Sequence, residues 1–161
     1  MEIIPLSAEL FAAYGDVIEV ASTAKHFSIN EGHTERYHDL ATVEVTKDGG
    51  RPLISIFRAE PLAMPHKIKV MERHPLSSQT FMPLGQHPYL VVVAAKGEFI
   101  ANTIKVFLAQ ANQGVNYHAG TWHHYCFALQ QVSDFLVVDR GGEGQNCDLM
   151  ELDGSQLVQW P

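Results

Sequence analysis

The sequence has few cysteines, few basic side chains and no long hydrophobic run, and each shortage excludes a class of protein. The only cysteines, Cys126 and Cys147, indicate reduced thiols rather than a disulfide framework. Eleven basic side chains against eighteen acidic ones give a net charge of −7, which disfavours nucleic acid and anionic membranes as partners. The longest apolar run, Tyr89 to Ala95, is too short to span a bilayer, and the N-terminus lacks the pattern of a signal peptide. We therefore expect a cytoplasmic protein.

The rest of the composition is that of an ordinary globular domain. The chain has 161 residues, of which 46% are hydrophobic and 18% charged, so it can bury a core without disulfide cross-links. The sequence contains no fixed-period repeat, low-complexity stretch or linker at which it could be divided. We expect a single domain over residues 1–161.

Short β-type runs separated by turn residues follow one N-terminal helix. The helix is expected between an N-cap at Ser7 and a terminating glycine at Gly15. Thr42–Val45 is a weak strand candidate, and turns are expected at 47–50, 84–88 and 140–144. The predicted strands are Leu53–Phe57, Lys67–Glu72, Gln79–Pro83, Tyr89–Ala95, Ile104–Leu108 (or a helical turn), Thr121–Leu129 and Phe135–Asp139. This pattern is typical of an all-β sandwich or barrel.

Polar side chains on two neighbouring strands are predicted to converge. Period-two alternation places Glu72 and His74 on one face of their strand and Arg73 on the other. Gln79 opens the next strand after the turn that begins at Pro75. Glu72, His74 and Gln79 are therefore expected to meet.

A histidine-rich segment, N116-Y-H-A-G-T-W-H-H-Y125, provides a further candidate. Its Ala119-Gly120 pair predicts a tight turn. If a strand resumes after that turn, His123 lies on one face, and Trp122 and His124 lie on the other. His123 is then expected to join the first three side chains.

These two segments resemble the two halves of the cupin signature. Glu72-Arg-His74, followed after four residues by Gln79, matches the spacing of the first motif, H-x-H-x(3,4)-E. His118-Ala-Gly120-Thr-Trp-His123 matches the P-x-G-x-x-H core of the second, with histidine in place of proline. Glu72 replaces the first histidine of the signature, and Gln79 replaces its glutamate. The resemblance implies a single cupin-type β-barrel or jelly roll with a short N-terminal helix.

The same four residues are the expected ligands if a metal is bound. Two imidazoles and a carboxylate suffice for one divalent transition metal such as nickel, manganese or zinc. The ligands would be Glu72, His74, Gln79 and His123. No organic cofactor is expected.

More specifically, the chain is similar to the ureidoglycolate lyases of allantoin breakdown over nearly its whole length. The blocks that carry this similarity are Arg36-Tyr-His-Asp-Leu-Ala41, Glu72-Arg-His-Pro-Leu76, Gly114-Val-Asn-Tyr-His118 and Trp122-His-His124. The resemblance implies a cupin β-barrel, usually a homodimer, that cleaves (S)-ureidoglycolate to glyoxylate and urea. Its expected partner is therefore a small ureide.

The side chains of the chain suit this reaction. Cleavage needs a base for the substrate hydroxyl, an acid for the leaving nitrogen and a cation for the carboxylate. The expected catalytic residues are His74, His123, Glu72 and Gln79, since histidines titrate near neutrality and glutamine can both donate and accept. Arginine is the natural carboxylate clamp. The expected substrate-binding residues are Arg58, Arg140, Arg36, Tyr37, His38, Asp39 and His118.

Two alternatives stay open at this point. One is a metal-dependent cupin of another class, such as a dioxygenase or an isomerase. The other is a cupin that binds a ureide without turning it over. The block Arg36-Tyr-His-Asp39 is expected to cover the mouth of the barrel or to reach into a partner subunit.

Overall fold

Two β-sheets make up most of the computed structural model, which describes residues 1–160. One short helix, α1 (Ala8–Phe11), lies near the N-terminus, with the Ser7 hydroxyl accepting a hydrogen bond from the Leu10 amide. The strands are β1 (Ile3–Pro5), β2 (Gly15–Ile18), β3 (His26–Ile29), β4 (Thr34–Tyr37), β5 (Arg51–Ala59), β6 (His66–Lys67), β7 (Val70–Arg73), β8 (Gln79–Pro83), β9 (Tyr89–Ala94), β10 (Lys105–Ala109), β11 (Gly114–Tyr117), β12 (Trp122–His123), β13 (Phe127–Ala128), β14 (Ser133–Gly141), β15 (Asp148–Glu151) and β16 (Leu157–Val158).

The sheet topology explains how distant segments meet. The first sheet has the order β1-β10-β9-β12-β7-β15, with β13 also paired to β9. The second sheet has the order β2-β11-β8-β14-β5. Two further pairs, β3-β4 and β16-β6, form separate two-stranded sheets. The prediction of an all-β, cupin-type fold with a short N-terminal helix is confirmed.

Two apolar clusters cover the two faces of the first sheet. The inner cluster lies between the sheets and includes Val91, Val93, Phe107, Phe81, Phe135 and Val137. The outer cluster packs on the opposite face and includes Val92, Val106, Trp122, Phe127, Ile68 and Met71. Alternation along β9 accounts for this division, because successive side chains point to opposite faces. Burial of each large apolar side chain in these clusters contributes about 1.5–3 kcal/mol to the free energy of unfolding.

The predicted strands are confirmed in position but not always in extent. Gln79–Pro83 has the bounds that the sequence predicts, and Ile104–Leu108 is a strand displaced by one residue. The segments 67–72 and 121–129 are each divided into two short strands. Thr42–Val45 is not a strand, and the prediction was wrong there. The sequence prediction missed β1, β2, β3, β4, β11, β15 and β16.

Gly15 has a different role from the helix-terminating one that the sequence suggested. The helix ends at Phe11 with Ala12 as its C-cap, and Gly15 instead opens β2. A Cβ at Gly15 would lie 2.0 Å from the carbonyl oxygen of Asn116 on the neighbouring strand β11. Glycine is needed here because two backbones approach too closely for a side chain.

Gly15→Ala is therefore expected to lower the free energy of unfolding by about 2–3 kcal/mol, since the added methyl group must displace backbone. Chemical denaturation measures the change. Gly85→Ala is the matched control, because a Cβ at Gly85 meets no atom within 4 Å. Equal stability of the two variants would contradict this account of Gly15.

Within residues 1–160, no helix has the length and apolar character needed to cross a membrane.

Candidate active site

Two pairs of neighbouring strands bring the predicted site residues together. On the first sheet, His123 of β12 is directly opposite Glu72 of β7. On the second sheet, Tyr117 of β11 is directly opposite Gln79 of β8. Met71 packs in the outer cluster, so its neighbour Glu72 points to the inner face of the first sheet. Tyr117 packs in the inner cluster and stacks on the His123 ring at 4.3 Å between centroids, which joins the two pairs across the interior.

Glu72, His74 and His123 form a compact cluster. One nitrogen or oxygen atom from each side chain lies within 4.8 Å of the others. His123 Nδ1 is 3.7 Å from Glu72 Oε1, and the His74 and His123 ring centroids are 5.1 Å apart. The convergence that the alternation predicted for these three side chains is thus present in the fold.

A backbone carbonyl fixes the tautomer of His74. His74 Nδ1 lies 2.6 Å from the carbonyl oxygen of Asn146. A carbonyl only accepts, so Nδ1 carries the proton and donates it, and the neutral ring presents the Nε2 lone pair on its other side. That Nε2 atom is buried and has no hydrogen-bond partner among residues 1–160. The lone pair is therefore available to take up a proton or to bind a metal.

His123 is neutral in its folded surroundings. Only 1% of its surface is exposed, and neither ring nitrogen has a hydrogen-bond partner within the described residues. Burial, helped by His74 and His124, holds the pKa of His123 well below its usual value. Burial also raises the pKa of the Tyr117 hydroxyl well above its usual value. The Tyr117 side chain that stacks on His123 is therefore uncharged.

The cluster has the donor set of a transition-metal site. Two imidazoles, each with an unpartnered ring nitrogen, and a carboxylate offer ligand atoms within 4.8 Å of one another, and they are the ligand types that such ions prefer. Gln79 is buried, and its Oε1 atom is likewise without a hydrogen-bond partner among residues 1–160. Orphaned polar atoms of this kind are rare in protein interiors and indicate a place for a ligand.

Two of the predicted substrate-binding arginines, Arg58 and Arg140, lie outside the cluster of Glu72, His74 and His123. The Arg58 guanidinium donates two hydrogen bonds of 2.8 Å to the Asp134 carboxylate. Arg140 is buried and donates to the carbonyl oxygens of Lys47 and Asp48, so it anchors that loop. The structure does not bring either one into the cluster.

Arg73 faces away from the cluster, as strand alternation predicted. It bonds to Asp148 and to the Gly97 carbonyl, and its guanidinium lies 4.6 Å from the Trp122 ring centroid. Trp122 packs in the outer cluster, which agrees with a packing role.

The predicted block 36–39 lies on a β-hairpin apart from the two large sheets. We call β3, β4 and their connecting turn the arm. Arg36 lies over the Phe27 ring, Tyr37 stacks on His26, and His38 packs edge-on against Phe27. Asp39 has a left-handed backbone with φ of 59° where the chain leaves the arm. None of these contacts joins the arm to Glu72, His74 or His123.

His118 also lies outside the cluster. Its Nε2 donates to Asp16 Oδ1 at 3.1 Å, and Asp16 also accepts from the Thr42 amide and the Asn116 side chain. The turn that follows is present as predicted, with Gly120 at φ 81°. The Gly120 amide donates to the His74 carbonyl, so this turn is hydrogen-bonded to the backbone of a cluster residue.

Three residues at the site were missed in the sequence. Tyr117 stacks on His123, Asn146 orients His74, and the Cys147 thiol lies 3.9 Å from Glu72 Oε2. Tyr117 could have been found by continuing the alternation of β11 toward Gln79. Asn146 and Cys147 lie in a loop, where no period places a side chain.

His124 lies behind the cluster, on the outer face of the first sheet, as alternation predicted. Its ring meets His66 edge-on at 5.4 Å between centroids and packs beside Phe127. Burial lowers the pKa of His124 to about 4, and His66 adds to the shift, while a hydrogen bond with the Tyr125 carbonyl opposes it. Burial likewise lowers the pKa of His66.

This histidine pair should make the fold sensitive to acid. Below pH of about 6.5 the unfolded chain takes up protons that the folded chain excludes, so the free energy of unfolding falls as the pH falls. His124 alone should cost about 2 kcal/mol between about pH 7.5 and about pH 5. His124→Asn should reduce the pH dependence by that amount, whereas His33→Asn in the exposed arm should not. An unchanged pH dependence in His124→Asn would contradict the account.

Comparison with known proteins shows which sequences this chain is similar to. A family model described as ureidoglycolate lyase matches residues 1–159. A protein named ureidoglycolate lyase from Burkholderia cepacia is 54% identical over 156 residues, covering 96% of this chain and 88% of the relative. Another of the same name from Pseudomonas aeruginosa (strain LESB58) is 51% identical over 149 residues, covering 92% and 88%.

Proposed function

Because the chain belongs to the ureidoglycolate lyase family, we propose that it cleaves (S)-ureidoglycolate to glyoxylate and urea in allantoin breakdown. The observation that carries this proposal is the cluster of Glu72, His74 and His123, with unpartnered nitrogens on both histidines. The substrate is a carbinolamine, whose central carbon carries a hydroxyl, a hydrogen, a carboxylate and the ureido nitrogen. Its cleavage moves one proton from oxygen to nitrogen and needs no nucleophile and no electron carrier.

His74 is the residue best placed to move that proton. Its Nε2 lone pair takes the hydroxyl proton as the C=O bond forms and the C–N bond breaks. The resulting imidazolium is stabilised by the Asn146 carbonyl at Nδ1 and by the nearby Glu72 carboxylate. It then returns the proton to the leaving ureido nitrogen, which departs as neutral urea. The base and the acid of the reaction are thus the same side chain in two protonation states.

His123 and Gln79 hold the substrate in this scheme. The low pKa of His123 keeps its ring neutral, so it donates one hydrogen bond and accepts another without competing for the hydroxyl proton. Gln79 lies opposite Tyr117 on the second sheet, and its buried, unpartnered amide oxygen is the group that would accept from the substrate there. The stacked ring of Tyr117 excludes water from one side of His123.

Product analysis tests the proposed function. Purified protein incubated with (S)-ureidoglycolate should release glyoxylate and urea in equal amounts and no ammonia beyond the spontaneous background. Ammonia in place of urea would indicate a hydrolase. Binding of the substrate without release of glyoxylate would favour a ureide-binding cupin instead.

As an alternative to proton transfer by His74, we propose that Glu72, His74, His123 and Gln79 hold one divalent transition metal, either nickel, manganese or zinc, since the free lone pair of His74 Nε2 can either take up a proton or bind an ion. A bound ion would supply Lewis-acid chemistry and positive charge near the substrate oxygens. Calorimetric titration of the wild type with each ion should give one site. His123→Gln should weaken the binding by at least about tenfold, because it removes an imidazole ligand. Equal affinity in both proteins would exclude these ligands.

We also propose a homodimer in which the arm reaches the partner's site. Arg36 has no salt-bridge partner within residues 1–160, and β3 and β4 pair only with each other. The outer face of the second sheet exposes Ile54 by 76% and Ile56 by 56%, which favours burial against another copy. Sedimentation should give twice the chain mass, and Arg36→Ala should raise KM for the anionic substrate. A monomer with unchanged KM in Arg36→Ala would contradict this arrangement.

We also propose that the protein is cytoplasmic. Both cysteines are free, and burial raises the pKa of the Cys126 thiol to about 12, which keeps it unreactive. Cell fractionation tests the location.

A further inference from the structure

The strand register indicates that Asp139 lies next to Gln79 on the inner face of the second sheet. The register of β14 and β8 pairs Val137 with Phe81 and Val138 with Thr80. Continued by one residue, it places Asp139 directly across from Gln79. Adjacent side chains on one face are about 5 Å apart at Cβ.

The carboxylate of Asp139 points between the two sheets. Phe135 and Val137 of the same strand pack in the inner cluster, and Asp139 follows them at the period of two that keeps a side chain on one face. The second sheet therefore presents Tyr117, Gln79 and Asp139 in a row across three strands. This row faces the catalytic cluster, because Tyr117 stacks on His123.

That row contains two unsatisfied acceptors. Asp139 Oδ1 and Gln79 Oε1 are both buried, and neither has a hydrogen-bond partner among residues 1–160. Leaving such an atom unpaired costs about 1–3 kcal/mol, and more when the group is charged. A ligand that completes this part of the site must therefore bring hydrogen-bond donors. A second carboxylate or a keto group would meet only repulsion there.

We propose that Asp139 and Gln79 together accept the N–H groups of the ureido half of the substrate, so that Asp139 determines specificity for a ureide. This inference rests on the proposed function and adds the orientation of the substrate. A ureido group presents two parallel N–H bonds on its outer edge, which match two acceptors on neighbouring strands. The carbinol carbon then lies toward His74 and Glu72, with the hydroxyl next to the Nε2 lone pair of His74.

The test uses the two products as separate probes of the two halves of the site. Asp139→Asn replaces one acceptor by an NH₂ donor that opposes the N–H groups of the ligand. Loss of a charge-assisted hydrogen bond should raise the inhibition constant of urea and the KM for ureidoglycolate by about ten- to a hundredfold. The inhibition constant of glyoxylate should change by less than about threefold, since glyoxylate has no N–H groups for Asp139 to accept. Asp134→Asn is the matched control, because it lies on the same strand but pairs with Arg58 on the surface.

Either of two results would overturn the inference. One is an unchanged urea constant in Asp139→Asn, and the other is an equal loss of urea and glyoxylate binding, which a structural role would produce. If the variant does not fold, the wild type still decides the matter. Urea should inhibit it at least about tenfold more strongly than tetramethylurea, which offers no N–H group. Equal inhibition by the two would overturn the inference.

Failure of the proposed function would give a different pattern. In that case the wild type would release no glyoxylate from ureidoglycolate. Calorimetric titration of the wild type and Asp139→Asn with urea alone would then test the acceptor pair without relying on turnover.

Discussion

Replacing His74 by glutamine is expected to lower kcat for ureidoglycolate cleavage by about three orders of magnitude and to change KM by no more than about threefold. Glutamine keeps polarity and approximate volume but cannot hold a proton at the position of Nε2. The Asn146 carbonyl fixes the tautomer of the wild-type ring, so the whole proton-transfer capacity of His74 resides in that one atom. The reaction then retains only the positioning supplied by His123 and Gln79.

Steady-state kinetics with glyoxylate detection measures this change. His87→Gln is the matched control, since His87 lies in the loop between β8 and β9. Thermal melting of both variants separates a catalytic loss from unfolding. A folded His74→Gln variant with more than about a tenth of wild-type kcat would show that another group moves the proton.

Glu72→Gln should lower kcat by about a hundredfold. The Glu72 carboxylate lies next to both histidines, with Oε1 at 3.7 Å from His123 Nδ1. It is the negative charge that stabilises the imidazolium formed on His74 during the reaction. A neutral amide cannot supply that stabilisation, although it preserves the shape of the site. Glu98→Gln, in an exposed loop, is the control.

A double variant tests whether the two residues act as one unit. Glu72 assists only the proton that His74 carries, so Glu72→Gln combined with His74→Gln should be no slower than His74→Gln alone. Multiplicative losses, a combined factor of about 10⁵, would assign Glu72 an independent role.

Strand alternation was sufficient to predict the core of the site. Glu72 and His74 point inward because they share a face of β7 and its continuation, and His123 joins them because a turn at Gly120 restarts a strand with the same alternation. This local rule requires no knowledge of the fold. It also placed Arg73 and His124 on the opposite face correctly.

The positions of the arginines depend on long-range contacts that a local rule cannot supply. Arg58 and Arg140 both occur near strand ends, which made them plausible clamps in the sequence. Each instead has partners that are 76 or more residues away in sequence, the Asp134 carboxylate and the Lys47 carbonyl respectively. Only the assembled fold determines these pairings.

The missed strands have a similar cause. β3 and β4 lie in a mostly exposed hairpin with little apolar alternation, and β16 has only two residues. β15 alternates between partly buried and exposed residues at the edge of the first sheet. Short edge strands acquire their conformation from a neighbour, and their own composition predicts it poorly.

The most direct measurement for the central claim is a crystal structure of the protein with glyoxylate bound. The account predicts density for glyoxylate within hydrogen-bonding distance of His74 Nε2 and His123, between the two sheets. Density elsewhere, such as in the cleft of about 440 Å³ lined by Phe57, Arg58 and Cys126, with the Glu72–His74–His123 cluster empty, would contradict it.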